Sequence, residues 1–303
     1  MKQKLKTVLK SIWWLMVITF ITLFLYKNLQ TAASVIQKLP VTTLFIAFSS
    51  IVVAKFFLVQ AMYLALQRYQ VNLTYFRCFI IYNVTQLGKY IPGSIWQFVG
   101  RISFYREENI SNDKIRDTLL LETFWVVFSA LAIGLCLILL VQHQLLIQLL
   151  SDLPGPLTHP YTSLTLAGLI VLITLLFKKT LIKYAKRFMF SPGITLVVSI
   201  IWICLGFSFW ITLLPFTSNE LSFVYIIGLY ALSYALGFAV PFAPAGIGIR
   251  EAVLVMGLLP YLDANTSIIL ATINRLFYIV SEIFLVLISS YLSVRYTKES
   301  KTT

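Results

Sequence analysis

Apolar residues fall in long blocks along this chain, separated by short polar connections. Six blocks, near 11–29, 42–66, 118–141, 161–177, 194–214 and 266–292, approach the roughly 20 residues of helix that cross about 30 Å of hydrocarbon. Each predicts a spanning helix. Two further blocks, 74–101 and 221–262, are apolar but too long for one span, and both are interrupted. The first break runs from Gly88 to Gly93 around Pro92; the second runs from Pro241 to Gly248 and contains Pro244 and Gly246. Proline removes a backbone donor and glycine loosens a helix. Both blocks therefore predict helical hairpins, re-entrant or fully crossing, that return the chain to the side it entered from. The expected fold is an all-α polytopic membrane protein with a single membrane domain over 1–303.

Composition narrows the class further. Of 303 residues, 59% are hydrophobic and 12% charged, against about 25% charged in a soluble domain. The basic front and apolar centre of "MKQKLKTVLKSIWWLMVITFITLFLY" are signal-like, but the apolar run is long for that role and no good cleavage site follows. An uncleaved first span is expected.

The net charge of +13 would raise nucleic acid in a soluble chain. Here Lys and Arg cluster in alternate connections instead. Eighteen lie in 1–10, 67–77, 101–117, 178–190 and 295–303, and two, Lys27 and Lys38, in the other connections. By the positive-inside rule both termini are cytoplasmic, in a cytoplasmic (inner) membrane. No nucleic-acid partner is expected. With this orientation the two hairpins enter from opposite sides. The halves 1–141 and 161–303 each read span, span, broken hairpin, span, and Pro92 and Pro244 are 152 positions apart. That pattern predicts an inverted-topology repeat, with the site where the interrupted segments correspond.

Broken backbone at membrane depth is tolerated only where protein or water covers it, and freed N–H groups attract anions. "LGKYIPGSIWQFVGR", 87–101, reads as an anion cradle. Lys89 and Arg101 supply charge, Pro92 and Gly93 the break and close backbone approach, and Gln97 a neutral hydrogen-bonding group. Trp96, Tyr82, Tyr90 and Tyr105 offer rings suited to headgroups or sugars. The alternative is a kinked interfacial helix with Lys89 and Arg101 snorkelling to water. In "VPFAPAGIGIREAVL", 240–254, Pro244, Gly246 and Gly248 precede Arg250 and Glu251. Neighbours on a helix point about 100° apart, so each of these charges needs another partner or water. Glu282, Arg275, Glu122 and Lys55 are the candidates. Arg275 and Glu282 lie on one helical face, with Asn274 available to extend a polar seam. These groups serve either function or a structural ion-pair network. Cys78, Cys136 and Cys204, and the only two histidines, His143 and His159, form no metal or disulfide pattern. No metal or cofactor is expected.

"PAGIGIREAVL" resembles the Pro-Gly-Gly-x-Gly-x-x-Glu signature of the lysylphosphatidylglycerol synthase transmembrane-region family, and "GKYIPGSIWQFVGR" is similar to that family's first Pro-Gly motif. Pro244, Gly246, Gly248, Arg250 and Glu251 match the second motif; Pro92, Gly93 and Arg101 match the first. The chain departs at Ala245, where Gly is usual, and at Trp96-Gln97, where Gly-Glu is frequent. The resemblance implies a flippase-like protein that translocates a lipid headgroup, an anionic phospholipid or a polyprenyl-phosphate-linked sugar, in envelope lipid or polysaccharide assembly. Some members carry an aminoacyl-transferase domain; with the chain ending soon after its last span, aminoacylation is not expected.

Transport is thus the first expectation, not enzymatic turnover. No Gly-x-x-x-x-Gly-Lys-Ser/Thr motif for nucleotide occurs. Arg250 is expected on the substrate phosphate, and Glu251, Glu122, Arg275 and Glu282 are candidates for coupling or gating. The alternatives are a lipid-phosphate transferase or phosphatase, and a non-catalytic membrane partner of a glycosyltransferase.

Overall fold

The computed structural model describes residues 29–91, 93, 95–151, 191–217, 221–240 and 243–299. The predicted spans at 161–177 and, apart from Leu29, 11–29 lie outside these, as do Pro92, both histidine side chains and the 178–190 connection. The described residues are helical, with no strand. In chain order the helices are α1 (Leu29–Lys38), α2 (Val41–Arg68), α3 (Tyr75–Gln86), α4 (Trp96–Glu107), α5 (Asn112–Ser151), α6 (Pro192–Leu213), α7 (Phe223–Ala239), α8 (Ile249–Leu258) and α9 (Ala264–Glu299). Single 3-10 turns at Leu87–Tyr90 and Pro244–Gly246 stand at the two breaks.

Among the described residues, four helices are long and apolar enough to cross a membrane: Val41–Arg68, Asn112–Val141, Pro192–Leu213 and Ala264–Val294. They correspond to four of the six predicted spans. Helix α5 begins earlier and ends later than the apolar block at 118–141, running to Ser151. Its N-terminal flank, 112–117, is polar and its C-terminal flank, 142–151, mixes Gln with Leu and Ile, but neither has the Pro or Gly that would stop a helix before Pro154.

Helix starts follow local chemistry. The Thr74 hydroxyl accepts from the Arg77 N–H at 3.2 Å and opens α3. Pro192 supplies a fixed first turn to α6. Asp263 accepts from the Thr266 N–H at 3.0 Å and opens α9; that bond holds its carboxyl below the usual carboxylate range.

Polarity is arranged inside out. Leu140 and Leu287 are exposed, whereas Lys55, Arg101, Arg250 and Glu282 are buried. A bilayer solvates the leucines, and the charges find one another in the interior.

Helices α2 and α6 pack together and run antiparallel: Ser50 donates to the Cys204 carbonyl at 2.8 Å, while Leu64 lies beside Gly193. Helix α5 packs against α7 through small residues, Gly134 against the Leu232 backbone and Gly228 against Leu137. Absent side chains allow this close backbone approach.

The broken segments are hairpins. Arms α3 and α4 have 12 residues each, about 18 Å of helix, too short to cross about 30 Å. Their outer ends meet, with Arg77 on Glu108 at 2.5 Å and Lys114 on the Gln70 carbonyl at 3.2 Å. Arms α7 and α8 have 17 and 10 residues. Their outer ends also meet, the Tyr225 hydroxyl donating to the Gly257 carbonyl at 2.8 Å. The first hairpin follows the end of α2 and the second the end of α6. Because α2 and α6 are antiparallel, the hairpins enter from opposite ends of the bundle, and the 3-10 turns at their tips touch.

Candidate functional site

Each hairpin tip needs glycine where the chain folds on itself. A Cβ at Gly88 would lie 2.6 Å from the Gln97 N, so only glycine lets the two arms of the first hairpin cross. In the second, Gly237 and Gly246 stand back to back; a Cβ at Gly246 would lie 2.9 Å from the Gly237 Cα. A Cβ at Gly237 would also overlap the Arg250 Cγ, so this contact sets where the arginine runs. Gly93 (φ +100°) and Gly248 (φ +87°) adopt backbone that side chains rarely allow. Ala245, at the position where the resembled signature has Gly, is held at φ +53°.

The two tips enclose one cavity of about 240 Å³. The first hairpin contributes Lys89, Gly93, Gln97 and Arg101, and the second contributes Gly246 and Arg250. Glu122 of α5 and Tyr278 of α9 complete its polar wall. Seven of the thirteen residues predicted from sequence therefore line one space: Lys89, Gly93, Gln97, Arg101, Gly246, Arg250 and Glu122. Pro244 is buried in the turn behind it, and Gly248 caps α8. Pro92 lies outside the described residues.

Three carboxylates organise the charges. Glu282, only 2% exposed, accepts from both Lys55 and Lys89, and from the Tyr90 hydroxyl at 2.7 Å. Lys89 also donates to Gln86 Oε1 at 3.2 Å. Glu122 receives the Arg101 Nη1 on both oxygens at 2.7 Å, and the Tyr82 ring stacks 4.4 Å from the guanidinium carbon. Glu251 takes the Gly248 N–H at 2.6 Å, closing the first turn of α8. Its other oxygen lies 3.4 Å from Arg275 Nε, an ion pair without a well-formed hydrogen bond. Arg275 also donates to the Ala245 carbonyl at 2.8 Å, fixing the second break to α9.

Arg250 differs from the rest. It is 6% exposed and lines the cavity, yet it forms no ion pair among the described residues. Its surroundings are π faces: Tyr234 at 4.7 Å, Tyr278 at 5.4 Å and Tyr230 at 5.8 Å from its guanidinium carbon. Aromatic faces attract a cation but do not neutralise it.

The geometry corrects one reading. Arg101 is not at the rim snorkelling to water; it is 3% exposed and pinned to Glu122. It therefore leaves the count of basic residues in the alternate connections, which falls from eighteen to seventeen against two. Arg250 and Glu251 do not share one fate: Glu251 is tied to Arg275 and its own helix start, while Arg250 is left to the cavity. The polar seam on α9 forms as Asn274, Arg275 and Glu282, with Asn274 donating to Ser208 at 3.3 Å. Tyr278, unassigned from sequence, stands in the middle of it. Lys55 Nζ is 3.2 Å from its ring centroid, and Lys89, Arg250 and Arg275 lie within 5.6 Å. Its place one helical turn from both Arg275 and Glu282 was a usable signal. Gly237 and Tyr234 gave none, because small and aromatic residues are ordinary in apolar helices.

Long apolar helices, two broken hairpins and a buried charged cavity between them define a multi-pass membrane protein. The chain belongs to the lysylphosphatidylglycerol synthase TM region family, whose model matches residues 11–287. This places it among membrane proteins of lipid and envelope assembly. No curated protein matches it.

Proposed function

We propose that the protein moves a lipid with an anionic headgroup across the cytoplasmic membrane, with the phosphate held by Arg250 in the cavity between the hairpin tips. The observation that carries this reading is the buried Arg250 guanidinium, which faces the cavity without a carboxylate. A rigid fork of donors beside a π face suits a phosphate oxygen pair. Lys89 and Gln97 approach the same space from the opposite hairpin, so one headgroup can touch both.

Alternating access is the proposed mechanism, on an inverted-topology repeat. The support is a correspondence of packing. Exchanging α2 with α6, α3 with α7, α4 with α8 and α5 with α9 turns the α5–α7 contact into α9–α3, and both contacts exist. The α2–α6 contact and the contact between the two tips map onto themselves. A broken hairpin from each end can then act as a gate on its own side, with Glu282, Glu122, Glu251 and Arg275 holding the gates through their ion pairs. Both termini face the cytoplasm in this reading, and the transported lipid belongs to envelope lipid or polysaccharide assembly.

The test is the purified protein in vesicles carrying fluorescent phosphatidylglycerol or a polyprenyl phosphate in the inner leaflet. Protein-dependent loss of protection from an external quencher, abolished by Arg250→Gln in folded protein, is the expected result. Lipid turnover instead of crossing points to a transferase or phosphatase, and neither outcome points to a partner protein.

A further inference from the structure

Resting on that reading, we infer that the cavity carries a second subsite for a lipid phosphate, formed by Tyr82 and Arg101 of the first hairpin, and that the Glu122 carboxylate stands in it where the phosphate goes. The headgroup passes between this subsite and Arg250 as it crosses, and Glu122 lets go of Arg101 when the phosphate arrives.

The two hairpins build the same clamp. Tyr82 on α3 and Tyr234 on α7 are 152 positions apart, the separation of Pro92 and Pro244. Each ring stacks on an arginine of the next arm, Tyr82 at 4.4 Å from the Arg101 guanidinium carbon and Tyr234 at 4.7 Å from that of Arg250. Thr85 and Gly237 are also 152 positions apart, and each meets its arginine. The Thr85 hydroxyl accepts from Arg101 Nε at 3.4 Å, and Gly237 packs on the Arg250 side chain. A stacked ring holds the guanidinium plane and leaves its edge N–H groups to fork onto an oxyanion. Both arginines and both tyrosines line the one cavity.

The long helix behind each clamp makes the difference. Helix α5 brings Glu122, whose two oxygens both lie 2.7 Å from Arg101 Nη1. The position 152 residues later on α9 is Asn274, which donates to Ser208 at 3.3 Å. Arginine takes carboxylate and phosphate through the same fork of donors, so Glu122 is a tethered stand-in for the ligand. Exchanging it for a phosphodiester replaces one monoanion by another and leaves Arg101 balanced. The released carboxylate has donors at hand. Thr118 on α5 and Tyr105 on α4 are fully buried, and neither hydroxyl has a hydrogen-bond partner. Thr118 lies one turn from Glu122, and Tyr105 one turn from Arg101, on the same helix faces. Tyr105 also interacts electrostatically with both. Unpaired buried hydroxyls are costly, and a carboxylate swung one turn along α5 satisfies them.

The experiment uses the full chain in phosphatidylcholine nanodiscs titrated with dioleoyl phosphatidylglycerol, with binding read from the shift in thermal unfolding. Arg250→Gln removes the first subsite and should bind weakly. Adding Glu122→Gln to that variant frees Arg101, and affinity should rise about tenfold or more, the effect of one charge-assisted contact. Adding Arg101→Gln as well should abolish the gain. If the Arg250→Gln/Glu122→Gln protein folds poorly, phosphatidylglycerol supplied during purification should restore its yield. No gain in affinity and no rescue, or an equal gain with Arg101→Gln, overturns the inference. Inorganic phosphate stabilising the double variant as strongly as the lipid overturns the headgroup assignment. Wild-type lipid movement in vesicles without the gain leaves transport standing and sinks only the second subsite; the gain without any lipid movement does the opposite.

Discussion

Lys89 at the first hairpin tip is ion-paired to Glu282 on α9, 193 positions later in the chain. Glu282 also binds Lys55 of α2 and the Tyr90 hydroxyl. One carboxylate thereby ties the tip of a hairpin to two long helices, in an interior where each partner would be costly alone.

Glu282→Gln is expected to lose folded protein, because it strands two buried ammonium groups. Breaking a buried pair in this way costs about 3–5 kcal/mol. Yield and melting temperature in detergent measure it. The double variant Lys89→Gln/Glu282→Gln should recover part of the loss, and its failure to do so would show that the two side chains are not energetically coupled.

Arg101 and Glu122 are expected to behave as a closed pair. Glu122→Gln and Arg101→Gln should each destabilise by roughly the amount of a broken buried pair, and the double change by much less than their sum. A thermal-unfolding mutant cycle reads this coupling. Additive losses would mean that Glu122 acts independently of Arg101.

Ala245→Gly is expected to stabilise. Ala245 sits at φ +53°, where a Cβ costs about 1–2 kcal/mol that glycine avoids, offset partly by the freer unfolded chain. A net gain of about 0.5–1 kcal/mol should raise the melting temperature slightly. A fall would mean that the alanine methyl makes a packing contribution larger than its backbone strain.

Gly237→Ala should misplace Arg250, since the new methyl overlaps the Arg250 Cγ and crowds Gly246 Cα at 3.4 Å. Overpacking of this kind costs about 1–3 kcal/mol. Lipid movement in vesicles should fall further than folded yield does. Equal falls in both would mean that the contact only packs the hairpin.

A cysteine introduced between residues 261 and 263 should react with an impermeant reagent from outside the cell, and one between 69 and 73 should not. These two connections lead from opposite ends of the bundle, and only the second carries the cytoplasmic basic bias. Reversed labelling would invert the proposed topology.

Sequence by itself determined the solvent and the breaks. Unbroken apolar blocks near 20 residues leave no choice but helix in a bilayer, because every backbone group must be paired within its own segment. Pro and Gly at 88–93 and 241–248 mark where that pairing fails, so both hairpins were legible, and with them most of the cavity's lining. Tertiary structure decided which charge meets which. The charges on α2, the first hairpin tip and α9 carry no local mark of their partner; Lys55 finds Glu282 only because α2 and α9 pack side by side. Glu251 and Arg250 are adjacent in sequence, yet the helix turn sends one to Arg275 and the other into the cavity. Close approach was also hidden, since Gly237 reads as one more small residue until Gly246 lies against it. Electrostatic pairing and backbone contact depend on distances between segments far apart in the chain, and only the packed bundle sets those distances.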